Sequence, residues 1–88
     1  MSRVDVFVLA VLSRENKLSL SNIVKKIGEI NLNKPPSRIG IYKRLNVLKE
    51  QNLVSFEWKQ GKKNYIVSEK GLEIITEFIN QLTGVQST

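Results

Sequence analysis

The sequence predicts one small α+β domain, mainly helical, with a single β-hairpin set before its last helix. Three observations lead there. Apolar residues recur at helical spacing in four separate stretches, the period changes to alternation after Leu53, and no repeat, low-complexity tract or linker divides the 88 residues. A chain of this size builds one core and buries about 60 to 65% of its unfolded surface. Residues 1–88 are therefore expected to form a single domain, with no room for a separate ligand-sensing one.

Each element can be read in order. Ser2 with Asp5 three residues on resembles a capping pair, and Val4, Phe7, Val8, Val11 and Leu12 then recur at helical spacing, giving a first helix that ends near Arg14. Asn16-Lys17 is a turn. Leu18-Ser19-Leu20 alternates as a very short strand before Ser21 or Ser19 caps a second helix, marked by Ile23, Val24, Ile27 and Ile30, whose end Gly28 leaves open. Turn formers and a double proline, Asn31 to Pro36, separate it from the next helix, because a residue before proline is pushed out of helical geometry. Ser37 is the N-cap of a third helix over about 37–51, with Ile41, Leu45 and Leu48 as its buried stripe. Beyond it Val54, Phe56 and Trp58 alternate with Ser55, Glu57 and Lys59. The strand turns at Gln60-Gly61-Lys62-Lys63 and returns through Tyr65 and Val67, so the hairpin covers about 54–67. Ser68 caps a last helix over about 69–82, and Thr83-Gly84 ends it.

The order helix, strand, helix, helix, hairpin, helix is that of a winged helix-turn-helix. The stretch from Ile41-Tyr42-Lys43-Arg44-Leu45 to Asn52-Leu53-Val54 resembles the PadR-like regulators, which carry a Tyr inside the recognition helix, leucines three and six residues later, and a Gly-Leu-Val exit. Asn64-Tyr65-Ile66-Val67-Ser68-Glu69-Lys70-Gly71 is similar to that family's return strand and its Thr-Glu-Lys-Gly entry to the last helix. Together these cover about half the chain. Asn52 stands where the family usually has Gly, Ser68 replaces Thr, the turn before the third helix is long, and the C-terminal extension of many members is missing. MarR-like and ArsR-like proteins, and small winged-helix proteins of archaea and their viruses, are similar as well. The resemblance implies a DNA-binding transcriptional regulator.

Composition narrows the alternatives independently. Hydrophobic residues make up 41% and charged residues 25%, ordinary for a globular chain. Without Cys or His the chain lacks disulfides, the two favoured ligands of zinc, and the commonest general acid/base. No metal or cofactor is expected. No P-loop, Gly-x-Gly-x-x-Gly or nucleophile elbow occurs, and Glu69, Glu73 and Glu77 read as a solvated helix face, so no enzyme is expected. The longest apolar run, Val4 to Leu12, is broken by Asp5 and falls far short of the roughly 20 residues of a membrane span. It leads into Ser13-Arg14-Glu15-Asn16-Lys17 where a signal peptide would carry a cleavage site, which leaves a cytoplasmic address as the expectation.

The net charge of +6 is concentrated. From Lys34 to Lys63 the chain holds eight bases and two acids, whereas the remainder holds six of each. Such a local excess is the footprint of a polyanion-binding face, although lysine-rich surfaces also serve solubility. At 100° per residue, with Ile41, Leu45 and Leu48 inward, the outward arc of the third helix contains Ile39, Gly40, Lys43, Asn46, Val47 and Glu50, with Arg38, Tyr42 and Arg44 on or near its flanks. Ser37 and the helix start offer amides to a phosphate. Arg38 suits guanine, Asn46 adenine, and Ile39 or Val47 a thymine methyl. Tyr42 either packs its ring at the core edge or donates its hydroxyl to a phosphate. Lys59, Gln60, Lys62 and Lys63 form a basic wing for phosphate or minor groove, and the same charge protects an edge strand. Trp58, within the alternation, is expected to pack. Leu72, Ile74, Ile75, Phe78, Ile79 and Leu82 span about 160° of the last helix and, with an apolar first helix, point to a homodimer. The expected partners are double-stranded DNA and a second copy. An acidic protein surface or an RNA is the alternative.

Overall fold

The structure, a computed structural model, describes residues 2–30 and 33–84. Asn31 and Leu32, part of the expected turn, lie outside the described residues. Its elements are α1 (Arg3–Glu15), β1 (Lys17–Ser19), α2 (Leu20–Glu29), α3 (Arg38–Glu50), β2 (Val54–Lys59), β3 (Lys62–Val67) and α4 (Glu69–Thr83). The predicted α+β architecture is the one observed.

Side-chain caps start all four helices. Ser2, Ser19, Ser37 and Ser68 each accept a hydrogen bond from the backbone N–H three residues on, satisfying a donor the helix itself leaves unpaired. Of the two serines considered for α2, Ser19 is the cap, and the helix runs through Gly28 to Glu29. Asn52, in the exit from α3, has φ of 61°. Asn tolerates this left-handed geometry better than other side-chain-bearing residues, which explains how it can replace a glycine there.

The three strands form an antiparallel sheet in the order β1-β3-β2. Tyr65 lies between Leu18 and Phe56 in register, and its side chain is 2% exposed. The connection from β2 to β3 is the two residues Gln60 and Gly61, with φ of 53° and 75°. Positive φ at both positions is the geometry whose twist matches a right-handed hairpin, and Gly61 adopts it without steric cost.

The core joins every element. Val8, Leu9 and Leu12 of α1 meet Ile23 and Ile27 of α2, Ile41, Leu45 and Leu48 of α3, Leu18, Val54 and Tyr65 of the sheet, Leu53, and Ile75 of α4. Ile75 is a correction to the sequence reading. At 1% exposure it belongs to this core and has no surface left for a second copy. Ile79 and Leu82, four and seven residues on, share the side of Ile75 yet are exposed, because α4 meets the core only near its start and runs on past it. Trp58 is a second correction. Val54 is buried, Phe56 half-buried and Trp58 67% exposed, because the strand keeps alternating after it has run past the helices that cover it.

A buried carboxylate links two helices. Asp5, 2% exposed, accepts from the Ser2 backbone N–H at 3.2 Å while its own N–H donates to Ser2 Oγ, completing the capping box of α1. Arg44 of α3 donates to both its oxygens, Nε to Oδ1 at 2.7 Å and Nη2 to Oδ2 at 2.8 Å. Burial alone would push the Asp5 carboxyl up. The hydrogen bonds from Arg44 and Ser2, with the charge of the guanidinium, outweigh it and hold the group below its ordinary value.

Two measurements check this packing. Gly71 is buried where α4 starts, and a Cβ there would collide with the Leu53 carbonyl oxygen, which also accepts from the Ser68 N–H at 3.0 Å. Gly71→Ala is expected to cost about 2 kcal/mol by overpacking. Gly28→Ala, on an exposed helical position with nothing near its Cβ, should stabilise by about 0.5 to 1 kcal/mol; urea midpoints that moved in the same direction would contradict both placements. Asp5→Ala should cost about 2 kcal/mol at pH 7, where hydrogen bonds to the charged carboxylate are intact. Because the folded-state pKa is lowered, that contribution is complete above the unfolded value of about 4 and drains away as pH falls through the folded one. The gap between wild type and variant must therefore narrow in acid.

Candidate nucleic-acid interface

The third helix meets the rest of the molecule through one stripe and leaves its first turn outside. Ile41, Leu45 and Leu48 are fully buried, which turns Ile39 and Lys43 to solvent, while Arg38 is exposed because it begins the helix ahead of the buried stripe. Ser37 Oγ accepts from Gly40 N–H at 3.0 Å and closes the helix start. Ile39 is 68% exposed, an aliphatic side chain left largely open by the described residues. Gly40 is half-buried behind it, and Asn46 and Val47 are half-buried further along.

Arg38 is held rather than loose. Its Nη2 donates to Ser21 Oγ at 3.1 Å, joining the starts of α2 and α3. A cleft lined by Ser19, Leu20, Ser21, Asn22, Arg38, Lys62 and Lys63 brings the start of α2, the start of α3 and the wing to one place. Polar groups of α2 thus join the candidate surface, a role not assigned to them from sequence. Pairing of β1 with β3 is what carries them there, since Ser19 lies opposite Asn64, one residue after Lys63.

The wing is clamped to α3 by cations and rings. Lys63 Nζ lies 4.1 Å from the Phe56 ring centroid, 5.2 Å from that of Tyr65 and 5.8 Å from that of Tyr42. Lys49, from α3, lies 4.4 Å from Phe56. Each contact is the attraction of an ammonium for a ring's negative π-face. Tyr42 consequently takes neither expected place cleanly: its ring is 42% exposed, beside the wing lysine. Lys59, Gln60 and Lys62 remain exposed at the tip.

Arg44 differs from its neighbours. Expected near the flank of the reading face, it is turned toward α1 and gripped by Asp5, so its charge is matched inside the fold. Glu57, one of the two acids within the basic strip, is matched too, by Lys17 from β1. That pairing holds the Glu57 carboxyl below its ordinary value.

On α4, Leu72, Ile79 and Leu82 are exposed, and Ile74 and Phe78 are half-buried. A shallow cleft of Ile74, Glu77, Phe78 and Gln81 runs beside them. Among the described residues no group of acidic side chains is arranged to hold a metal ion, and no helix is long and apolar enough to cross a membrane.

No protein-family model matches the chain, and no curated protein matches it. Solved structures do. RosR of H. salinarum superposes with a TM-score of 0.82 over 100% of this chain and 80% of its own, at 17% identity. A PadR-like transcription factor from Bacteroides fragilis gives 0.79 over 92% and 81%, at 23% identity. BpsR of Bordetella bronchiseptica, whose DNA binding is regulated by 6-hydroxynicotinic acid, gives 0.75 at 18% identity, and this chain spans 96% of itself but 59% of BpsR. At these identities the likeness is one of fold: the chain has the winged helix-turn-helix fold that PadR-like regulators also have.

Proposed function

We propose that the chain is a homodimeric, sequence-specific double-stranded DNA-binding transcriptional regulator. In this reading α3 enters a major groove and the wing rests on adjacent phosphates or in the minor groove. One observation carries it: the exposed first turn of α3, the start of α2 and the wing converge on a single basic face, with Arg38, Ile39 and Lys43 outward and Lys59 and Lys62 at its edge. A helix seated by its inner stripe and open along its first turns is the shape that a major groove admits. The regulators among the neighbours of like fold support the same reading.

The division of labour follows from chemistry. Arg38, oriented by Ser21, offers the rest of its guanidinium to the O6 and N7 of guanine. Asn46 suits adenine, and Ile39 or Val47 a thymine methyl. Lys43, Lys59 and Lys62 neutralise phosphates, with Ser37 and the helix start adding backbone donors. Arg44 serves instead to position α3. As a binding protein the chain needs no metal or cofactor.

The second copy would dock on α4. Ile79 and Leu82, 42% and 71% exposed, extend the apolar side of α4 beyond the core, with Leu72 exposed at one edge of that side and the half-buried Ile74 and Phe78 toward the other. Large apolar side chains gathered on one open helix face mark an association surface more often than a solvated one. A two-fold contact there would set two recognition helices about 34 Å apart, one DNA turn.

Titrating labelled duplexes by anisotropy, with competing RNA and across a salt series, tests the first part. Arg38→Ala should relax preference at one base position by about 1 to 3 kcal/mol, whereas Lys62→Ala should weaken all duplexes alike and lower the salt slope by about one unit. Affinity that ignored salt, or an RNA that outcompeted duplex, would refute this reading. For the dimer, Leu82→Glu leaves the fold intact because the side chain is already exposed, and should convert a sedimenting dimer to a monomer with weakened duplex binding. A wild-type chain sedimenting at 10.0 kDa at micromolar concentration would rule the dimer out.

A further inference from the structure

Trp58 is the chain's one tryptophan, and it is 67% exposed. It stands on the side of β2 that faces α3, because Phe56, two residues back on the same side, is covered by Lys49 of that helix. The indole lies past the covered part of the sheet, one residue from the turn's flank at Lys59. Its cross-strand partner is Lys63. A lysine opposite a tryptophan ordinarily lies over the ring. Here the amine turns inward to Phe56 and Tyr65 instead, and the neighbouring ring, Phe56, stands perpendicular to the indole at 6.4 Å between centroids. Nothing in the fold requires an indole at this point. A β-branched side chain would serve the strand equally well without leaving so much apolar surface in water.

The surroundings identify what covers it. Lys59 and Lys62, paired across the turn, are both exposed on the face of the hairpin opposite to that of Trp58 and Lys63, so a partner that receives the tip must present apolar surface to one face and strong negative charge to the other. The sugar edge of a duplex, lying between successive phosphates, has that composition. A second copy of the same wing would oppose lysine to lysine. Resting on the DNA-binding reading above, we propose that Trp58 is itself part of the interface. Its indole packs on one deoxyribose wall of the groove flanking the one entered by α3, while Lys59 and Lys62, on the hairpin's other face, hold phosphates of the facing wall.

A single indole reports its own surroundings, so the test needs no label on the protein. Emission should shift to the blue on adding duplex and saturate at the same concentration as the anisotropy of a labelled duplex. Trp58→Ala should weaken binding about tenfold while leaving the salt slope unchanged, since no charge is removed. Trp58→Phe should recover most of the loss, and thermal melting should show all three proteins folded. Duplex binding by anisotropy with unaltered emission and an unaffected Trp58→Ala variant would overturn the proposal and leave the DNA-binding reading standing. Absence of binding in both signals would remove the two together. A blue shift that follows protein concentration without DNA would assign Trp58 to a contact between copies, and tighter binding of the matching single strand would assign it to stacking on unpaired bases; either result overturns the duplex contact.

Discussion

The carboxylate of Asp5 is almost out of water and still charged, and it stays so because groups from two helices point at it. A buried carboxylate without partners would take up a proton or unfold its surroundings. Ser2 supplies one donor and closes the start of α1, and the guanidinium of Arg44 supplies two in a planar fork. A fork engaging both oxygens tolerates little rotation. It therefore sets the angle of α3 about its own axis, in agreement with the apolar stripe of Ile41, Leu45 and Leu48. Pairs of this kind contribute little net stability beyond an apolar replacement, so the role argued for Arg44 is orientation. With α3 fixed, Arg38, Ile39 and Lys43 have one direction in which to point.

The wing depends on α3 in turn. Its strands are seated by Tyr65, buried between Leu18 and Phe56, and its two-residue turn leaves no slack in register. Beyond the core the contact continues as alternating charge and ring, with Phe56 between Lys49 and Lys63 and Tyr42 on the far side of Lys63. The ammonium groups are not lost to water in such a stack, because a half-exposed cation over a ring keeps part of its hydration. The consequence is a hairpin held at a set distance from the helix. Of its three lysines, one serves as the clamp and two face outward.

Much of this was legible in the sequence because capping and periodicity are local. Four serines at helix starts, a stripe of Ile41, Leu45 and Leu48, and a glycine-bearing turn each announce an element without reference to the rest of the chain. What escaped depends on contacts far apart in sequence. Asp5 looks like a capping residue until Arg44, 39 positions later, is brought against it. Gly71 sits in a familiar Glu-Lys-Gly string, but its reason is the carbonyl of Leu53 pressed against its Cα. Ile75 and Trp58 were misplaced for a common cause. Periodicity says which residues share a side, and it does not say where the opposing element stops. α4 has a wide apolar arc that meets the core only near the start of the helix, at Ile74 and Ile75, and β2 has an alternating side of which the first half is covered.

The same long-range pairs redistribute charge without changing its sum. Within the basic strip Arg44 is neutralised by Asp5 from α1, and Glu57 is neutralised by Lys17 from β1. One positive and one negative charge are thereby withdrawn from the surface field, and the excess that sequence counting found survives. Its place moves, however. With Arg44 and Glu57 matched, seven bases and one acid remain in the strip: Lys34, Arg38 and Lys43 before and along the first half of α3, Lys49 and Lys63 beside Phe56, and Lys59 and Lys62 on the hairpin tip, against Glu50. Arg38 lines one cleft with Lys62 and Lys63, so the charge at the helix start and the charge on the hairpin belong to one basic face. Ile39, exposed next to Arg38, and the half-buried Val47 place apolar surface on the same outward side of α3, so the face combines charge with aliphatic contact instead of charge alone.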